Sequence, residues 1–193
     1  IWKQLLIFFF PILVGSFFQQ LYNTVDSVIV GQFVGKEALS SVGGSAGQII
    51  SLVVGFFTGV STGATVIISQ YFGAGKKEEI EESLHTAYAF ALVGGLVLGI
   101  AGIVFAPQML RWMNTPEELI AESVLYVRVY FSGLIFIFIY NMGAAILRAV
   151  GDSKRPLYYL IVCSVVNIIL DLLLILVIPL GVLGAAIATL IAQ

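Results

Sequence analysis

The chain has 193 residues, 60% of them hydrophobic and 10% charged, with a mean hydropathy of +1.06. A soluble globular chain carries about a quarter charged residues, so this balance excludes a soluble fold, and it is the reverse of the low hydrophobicity and high charge that disorder requires. The net charge of −2 argues against a nucleic-acid partner, and at ~20 residues per bilayer crossing the length accommodates roughly six helices with no separate soluble domain.

Charged residues punctuate the chain and delimit the elements. The first apolar stretch, about 5–33, contains Asp26 as its only ionisable residue, and the second, about 38–72, contains none. Gly73 and Gly75 close the second helix, which carries a small residue at every fourth position: Gly43, Gly47, Ser51, Gly55, Gly59 and Gly63. Such a ridge lets another helix approach closely, either as fixed packing or as a surface for sliding. The third helix, about 83–110, holds only His85, an interfacial residue near the end of its span, and the cluster Glu78, Glu79, Glu81 and Glu82 before it solvates the connection. Thr115-Pro116-Glu117-Glu118 reads as a capping box with proline at the first helical position, opening a fourth helix over about 119–147. A polar turn from Gly151 to Pro156 leads to the fifth, about 156–178, and Pro179–Gly181 joins it to a sixth over 181–193. The fold class is an all-α polytopic membrane protein, a six-helix bundle whose sixth helix is cut short. The start at Ile1 and the stop at Gln193 inside an apolar run predict a fragment, and no cleavable signal peptide is recognisable. Cys163, the only cysteine, lies in an apolar run and reads as core packing.

With a cytoplasmic N-terminus, Lys3, Lys76, Lys77, Arg148, Lys154 and Arg155 fall on the inner side and only Lys36 and Arg111 on the outer. That asymmetry follows the positive-inside pattern, and Trp2 and Trp112 near helix ends suit the membrane interfaces. A multi-pass protein of the cell membrane with its N-terminus in the cytoplasm is the expected localisation.

A carboxylate in hydrocarbon costs at least ~2.5 kcal/mol, so intramembrane acids usually face the bundle interior and serve function. Asp26 and Asp171 are two such acids. Asn167 and Asp171, four apart, point from one helix face. At a rise of ~1.5 Å per residue, Asp26, Asn167, Asp171 and Thr189 reach overlapping depths. Carboxylates, an amide oxygen and a hydroxyl are hard ligands for a small cation; alternatively, burial and mutual repulsion make one carboxyl a proton carrier. A purely adhesive role for Asn167 and Asp171, hydrogen-bonding neighbouring helices, is the competing reading. Arg128 either pairs with one of the acids or sits at the outer interface of the fourth helix. Pro11 removes a backbone hydrogen bond from the first helix and should bend it, as a static kink or a hinge.

These features resemble the multidrug and toxic compound extrusion (MATE) family over essentially the whole chain. The resemblance rests on the proline-bearing first helix ending in VDSVIVGQFVG (25–35), the LRAVGDSKRP turn (147–156), and NIILD (167–171) followed by GAAIAT (184–189). It implies the N-terminal lobe (1–193) of a twelve-helix, two-lobe secondary antiporter that exports amphipathic, often cationic compounds in exchange for Na⁺ or H⁺. Residue by residue it implies a cation site at Asp26, Asn167, Asp171 and Thr189, cavity-lining positions at Gln19, Tyr22, Tyr126 and Asn141, and a helix-one proline at Pro11. The partners implied are small amphipathic molecules, the lipid bilayer and a C-terminal lobe; no cofactor is implied beyond the coupling ion, and no metal beyond Na⁺ at the cation site. No catalytic residues are implied. A lipid-linked precursor flippase shares the architecture but commonly presents several basic residues, whereas these spans hold at most Arg128. An intramembrane aspartyl protease resembles a Tyr-Asp pair plus Gly-x-Gly-Asp, whereas Val25 and Leu170 precede the acids here. A channel needs a continuous pore rather than one clustered site.

Overall fold

A computed structural model describes residues 2–193. They form α1 (Trp2–Ile29), running on as a π-helical segment (Val30–Val34), then α2 (Lys36–Gly43), α3 (Ser45–Gly73), α4 (Lys77–Trp112), α5 (Glu117–Ser132) and α6 (Leu134–Ala149). They end with α7 (Lys154–Asp171), its π-helical continuation (Leu172–Val177), and α8 (Val182–Ala192). The segments Leu5–Val34, Lys36–Gly73, Lys77–Trp112 and Lys154–Val177 are each long and apolar enough to cross a bilayer. The α5–α6 pair makes a fifth crossing bent by 51°, and α8 is a shorter apolar helix. The all-helical bundle expected from composition is therefore the fold, because in lipid each backbone group must find its partner within the segment. Leu52, Phe56, Val93, Phe105 and Val177 are among many large apolar side chains exposed around the perimeter. Apolar surface that extensive and continuous belongs against lipid.

The boundaries depart from the expected ones where local chemistry outweighs charge punctuation. α4 begins at Lys77 rather than near residue 83, so the glutamates form its first turns, where carboxylates favour the positive end of the helix dipole. Lys76 Nζ pairs there with Glu79 at 2.9 Å. The capping box at Thr115 does not form. Pro116 occupies the N-cap position of α5 in an extended conformation, no side chain caps the helix, and the Thr115 hydroxyl is buried without a partner. The cap that does form lies before α7, where Asp152 Oδ1 accepts from the backbone N–H of Lys154 and Arg155 at 3.2 and 3.1 Å.

The glycine ridge expected along one helix spans two, since Gly43 ends α2 and Gly47 to Gly63 lie in α3. Gly43, Gly55, Gly59 and Gly63 have nothing within 4 Å of where a side chain would begin, so no described helix packs on that face. Close packing belongs instead to α4, whose Ala91, Gly95, Gly99, Gly102 and Ala106 are buried at helical spacing. The ring of Phe131 lies directly on Gly102, and the Cα of Ile135 stands 2.7 Å from the position a Cβ on Gly95 would take. The sharp bend between α5 and α6 falls at Gly133, where Leu190 of α8 occupies the space of a side chain. α1, by contrast, continues as one helix through the buried Pro11.

Phe57 of α3 stacks on Phe138 of α6, with centroids 3.6 Å apart, and on Phe90 of α4 at 6.2 Å, fixing three helices around one aromatic core. Arg128 pairs with neither acid. Its Nε donates to the Ile103 carbonyl at 3.1 Å, the acceptor that Pro107, four residues on and lacking an N–H, leaves free.

Candidate functional site

Contacts of α1 with α7 and of α7 with α8 bring three helices together where their polar residues lie. Asp26 sits in the last turn of α1, Asn167 and Asp171 in the last turns of α7, and Thr189 in the middle of α8. Asp171 stands directly before the π-helical segment Leu172–Val177 and Asp26 one turn before Val30–Val34, and the two segments touch each other. Such segments widen a helix and are frequent at functional sites; no residue pattern in the sequence announced them.

Asp171, Asn167 and Thr189 are only 0%, 1% and 5% exposed. Asn167 Nδ2 donates to Thr189 Oγ1 at 3.5 Å, and Thr189 Oγ1 donates in turn to the Ala185 carbonyl at 3.0 Å. No described side chain donates to Asp26 Oδ1, Asn167 Oδ1 or either carboxylate oxygen of Asp171, all of which are shielded from water. The Asp26 and Asp171 carboxyls approach within hydrogen-bonding reach of each other. Two carboxylates have no hydrogen to share, so this contact becomes a bond only when a proton is added, or a bridge only when a cation is. Among the described residues no lysine or arginine neutralises either acid; the ion pairs are Lys76–Glu79 and Arg155–Asp152. A buried polar group left unpaired costs about 1–3 kcal/mol, and more if charged. Four such oxygens at one point therefore form a concentrated demand for a positive species.

A cavity of about 900 Å³ opens beside this cluster. Asp26 and Thr189 reach its wall, while Asn167 and Asp171 lie behind them. Gln19, Tyr22, Tyr126, Asn141 and Pro11 line the same cavity, which brings all the positions singled out from sequence to one side of the molecule. The phenols of Tyr22 and Tyr126 stand near both acids. Gly43 of α2 and Gly47, Ser51 and Gly55 of α3 also line it, so these small residues widen a cavity rather than seat a helix.

Several lining residues were not anticipated. Tyr130 lies one helical turn from Tyr126, their rings 6.3 Å apart, and the four-residue spacing was the available signal. Gln48 belongs to the ridge region of α3, and Arg148, counted in the sequence as a topological charge, also lines the cavity. His85 is exposed at the start of α4, and Cys163 is half-buried on α7; neither lines this cavity.

The MatE family model matches residues 11–173 of this chain. Two probable multidrug resistance proteins of Bacillus subtilis (strain 168), YoeA and YpnP, are each 34% identical to it. The alignments cover 100% and 99% of this chain but 42% and 43% of those proteins, so the chain spans less than half the length of these relatives. A crystal structure of MATE in complex with MaD3S superposes with a TM-score of 0.92 at 28% identity, covering 98% of this chain and 42% of that one. An outward-facing MATE multidrug resistance transporter gives 0.92 over 98% of this chain, and an inward-facing one 0.84 over 90%, at 28% and 29% identity. Family match, relatives and architecture agree: this multi-pass membrane chain belongs to the MATE family of multidrug efflux transporters, of which it forms one lobe.

Proposed function

We propose that the chain is the N-terminal lobe of a secondary antiporter that exports amphipathic, often cationic compounds in exchange for Na⁺ or H⁺, rather than an enzyme. The observation that carries this reading is the set of four unpartnered oxygens on Asp26, Asn167 and Asp171 against the wall of a 900 Å³ cavity. Asp26 and Asp171 supply the charge, and the Asn167 carbonyl and Thr189 hydroxyl complete a hard-oxygen shell for Na⁺. A single proton shared between the two carboxyls serves equally as the coupling ion.

The coupling follows from where the site sits. A cation bound between α1 and α7 offsets the repulsion of the two acids and draws the end of α1 toward α7; its release restores that repulsion. Coupling requires only that the ion bind one packing of α1 more tightly than another. Pro11, with no N–H to donate, is the position in α1 where a change of curvature breaks no further hydrogen bond, which makes it the hinge. Gln19, Tyr22, Tyr126 and Asn141 form the half of the substrate cavity that this lobe provides, and the C-terminal lobe closes the other half. The excess of basic residues near the helix ends on one side supports a cytoplasmic N-terminus.

Reconstitution of the intact protein in vesicles tests this. Saturable efflux of an amphipathic dye that depends on an opposing cation gradient supports an antiporter, whereas channel-like currents without saturation contradict it.

A further inference from the structure

Arg148, in the last turn of α6, is the charged residue among those lining the cavity that the cation site does not use. It is half-buried, and its guanidinium makes no hydrogen bond or ion pair with any described residue. It lines both the large cavity and an adjoining recess of about 240 Å³ between α1, α3 and α6, in which it is the only charged lining residue. Five N–H donors in a fork, held in a cleft with no acceptor engaged, are an unusual arrangement for a residue whose role is only to complement a helix end.

The surroundings sharpen the point. The nearest acid in sequence, Asp152, is already committed. One of its oxygens caps α7 and the other takes Arg155 Nε at 3.1 Å. In the recess, Thr58, Ser61 and Thr62 donate their hydroxyl hydrogens to carbonyls of their own helix at 2.8, 3.0 and 2.9 Å, and Asn141 Nδ2 donates to the Ile137 carbonyl at 2.8 Å. The three hydroxyls have thereby spent their hydrogens, which leaves Arg148 as the charged donor of the recess. Phe8 and Ile12 form an apolar wall beside it. Ile12 and Asp26 line the cavity from the same helix, fourteen residues apart, or ~21 Å along α1. The cavity is thus positive at one end and negative at the other.

We propose that Arg148 and this recess form a subsite for an anionic group, a carboxylate or phosphate on an amphipathic compound. The oxygens of that group take the guanidinium fork in two parallel hydrogen bonds, and its apolar body lies against Phe8 and Ile12. A compound that also carries a cationic group is then aligned along the cavity with that end toward Asp26. The subsite rests on the reading of this cavity as the substrate cavity, but its occupancy is measurable without transport.

The test is equilibrium binding of a carboxylated rhodamine and of its methyl ester to the purified intact protein in detergent, read by fluorescence polarisation. Charge-assisted hydrogen bonds predict that the acid binds about tenfold more tightly than the ester. Arg148→Gln is expected to abolish that preference by weakening binding of the acid, and Arg148→Lys to retain part of it. Equal affinity for acid and ester in the wild type, or a preference that survives in Arg148→Gln, overturns the proposal. A melting transition like that of the wild type shows that the variant is folded; should it not fold, the wild-type comparison and Arg148→Lys still decide. Adding phosphatidylglycerol identifies the source of the anion: displacement of the acid from wild type assigns a lipid phosphate to the subsite, and no displacement assigns the soluble acid. A preference for the acid in a protein that shows no gradient-driven efflux keeps the subsite and removes only the transport reading.

Discussion

Replacing Asp171 by Asn converts the cation-site reasoning into a stability measurement. Both oxygens of Asp171 are shielded from water without a donor, and the side chain is 0% exposed. A charge in the membrane interior costs at least ~2.5 kcal/mol, and the amide that replaces it carries none. Its new N–H is also placed to donate to Asp26, whose Oδ1 has no partner. The variant should therefore be more stable than the wild type when no coupling cation is bound, by about 2.5 kcal/mol or more. For an intact protein more than twice the length of this chain, at ~1 °C per kcal/mol, that is a rise of about 2–3 °C in melting temperature. The assay is thermal unfolding of the intact protein in detergent, in a Na⁺-free buffer and again with Na⁺ added or the pH lowered. The wild type should gain stability from whichever cation it couples to, because that ion offsets the repulsion within the pair, whereas the variant should start higher and lose that gain. A variant that melts below the wild type, or that keeps the full cation-dependent gain, would refute the view that these oxygens are left unpaired to receive a cation.

Three further outcomes follow from the packing. Gly102→Val should destabilise by about 1–3 kcal/mol in melting experiments because the Phe131 ring occupies the site, while Gly59→Ala, which meets open space, should stay within about 0.5 kcal/mol. Arg128→Gln should cost about 1–3 kcal/mol by stranding the Ile103 carbonyl, and much less in a Pro107→Ala background, where the restored N–H satisfies it; an additive double-mutant cycle would count against that pairing. Thr115→Val should be neutral or stabilising, because the hydroxyl caps nothing; a loss of about 1 kcal/mol would restore the capping box.

Much of this architecture could be read directly from the chain because the bilayer imposes it. The gaps between charges set five of the helices to within a few residues, and the missed start of α4 came from treating glutamates as loop solvation when they suit the first turns of a helix. The site was legible for a related reason: Asp26 and Asp171 are conspicuous in apolar runs, and helical rise alone puts Asn167 and Thr189 at their level. What one sequence did not reveal depends on contacts between distant residues. The regular spacing of Gly55, Gly59 and Gly63 looks the same whether a helix packs there or a cavity opens, and only the position of the other helices decides. The bend at Gly133 depends on Leu190, fifty-seven residues away, and the role of Arg128 on a proline in another helix. The π-helical segments after each acid carry no composition that separates them from the α-helices they extend.

Dye efflux from vesicles containing the intact protein, driven first by an imposed Na⁺ gradient and then by an imposed pH gradient, addresses the central claim most directly. The account predicts efflux under at least one gradient in the wild type and its loss in both Asp26→Asn and Asp171→Asn, each still folded by its melting transition. Undiminished gradient-driven efflux in the two variants would contradict it.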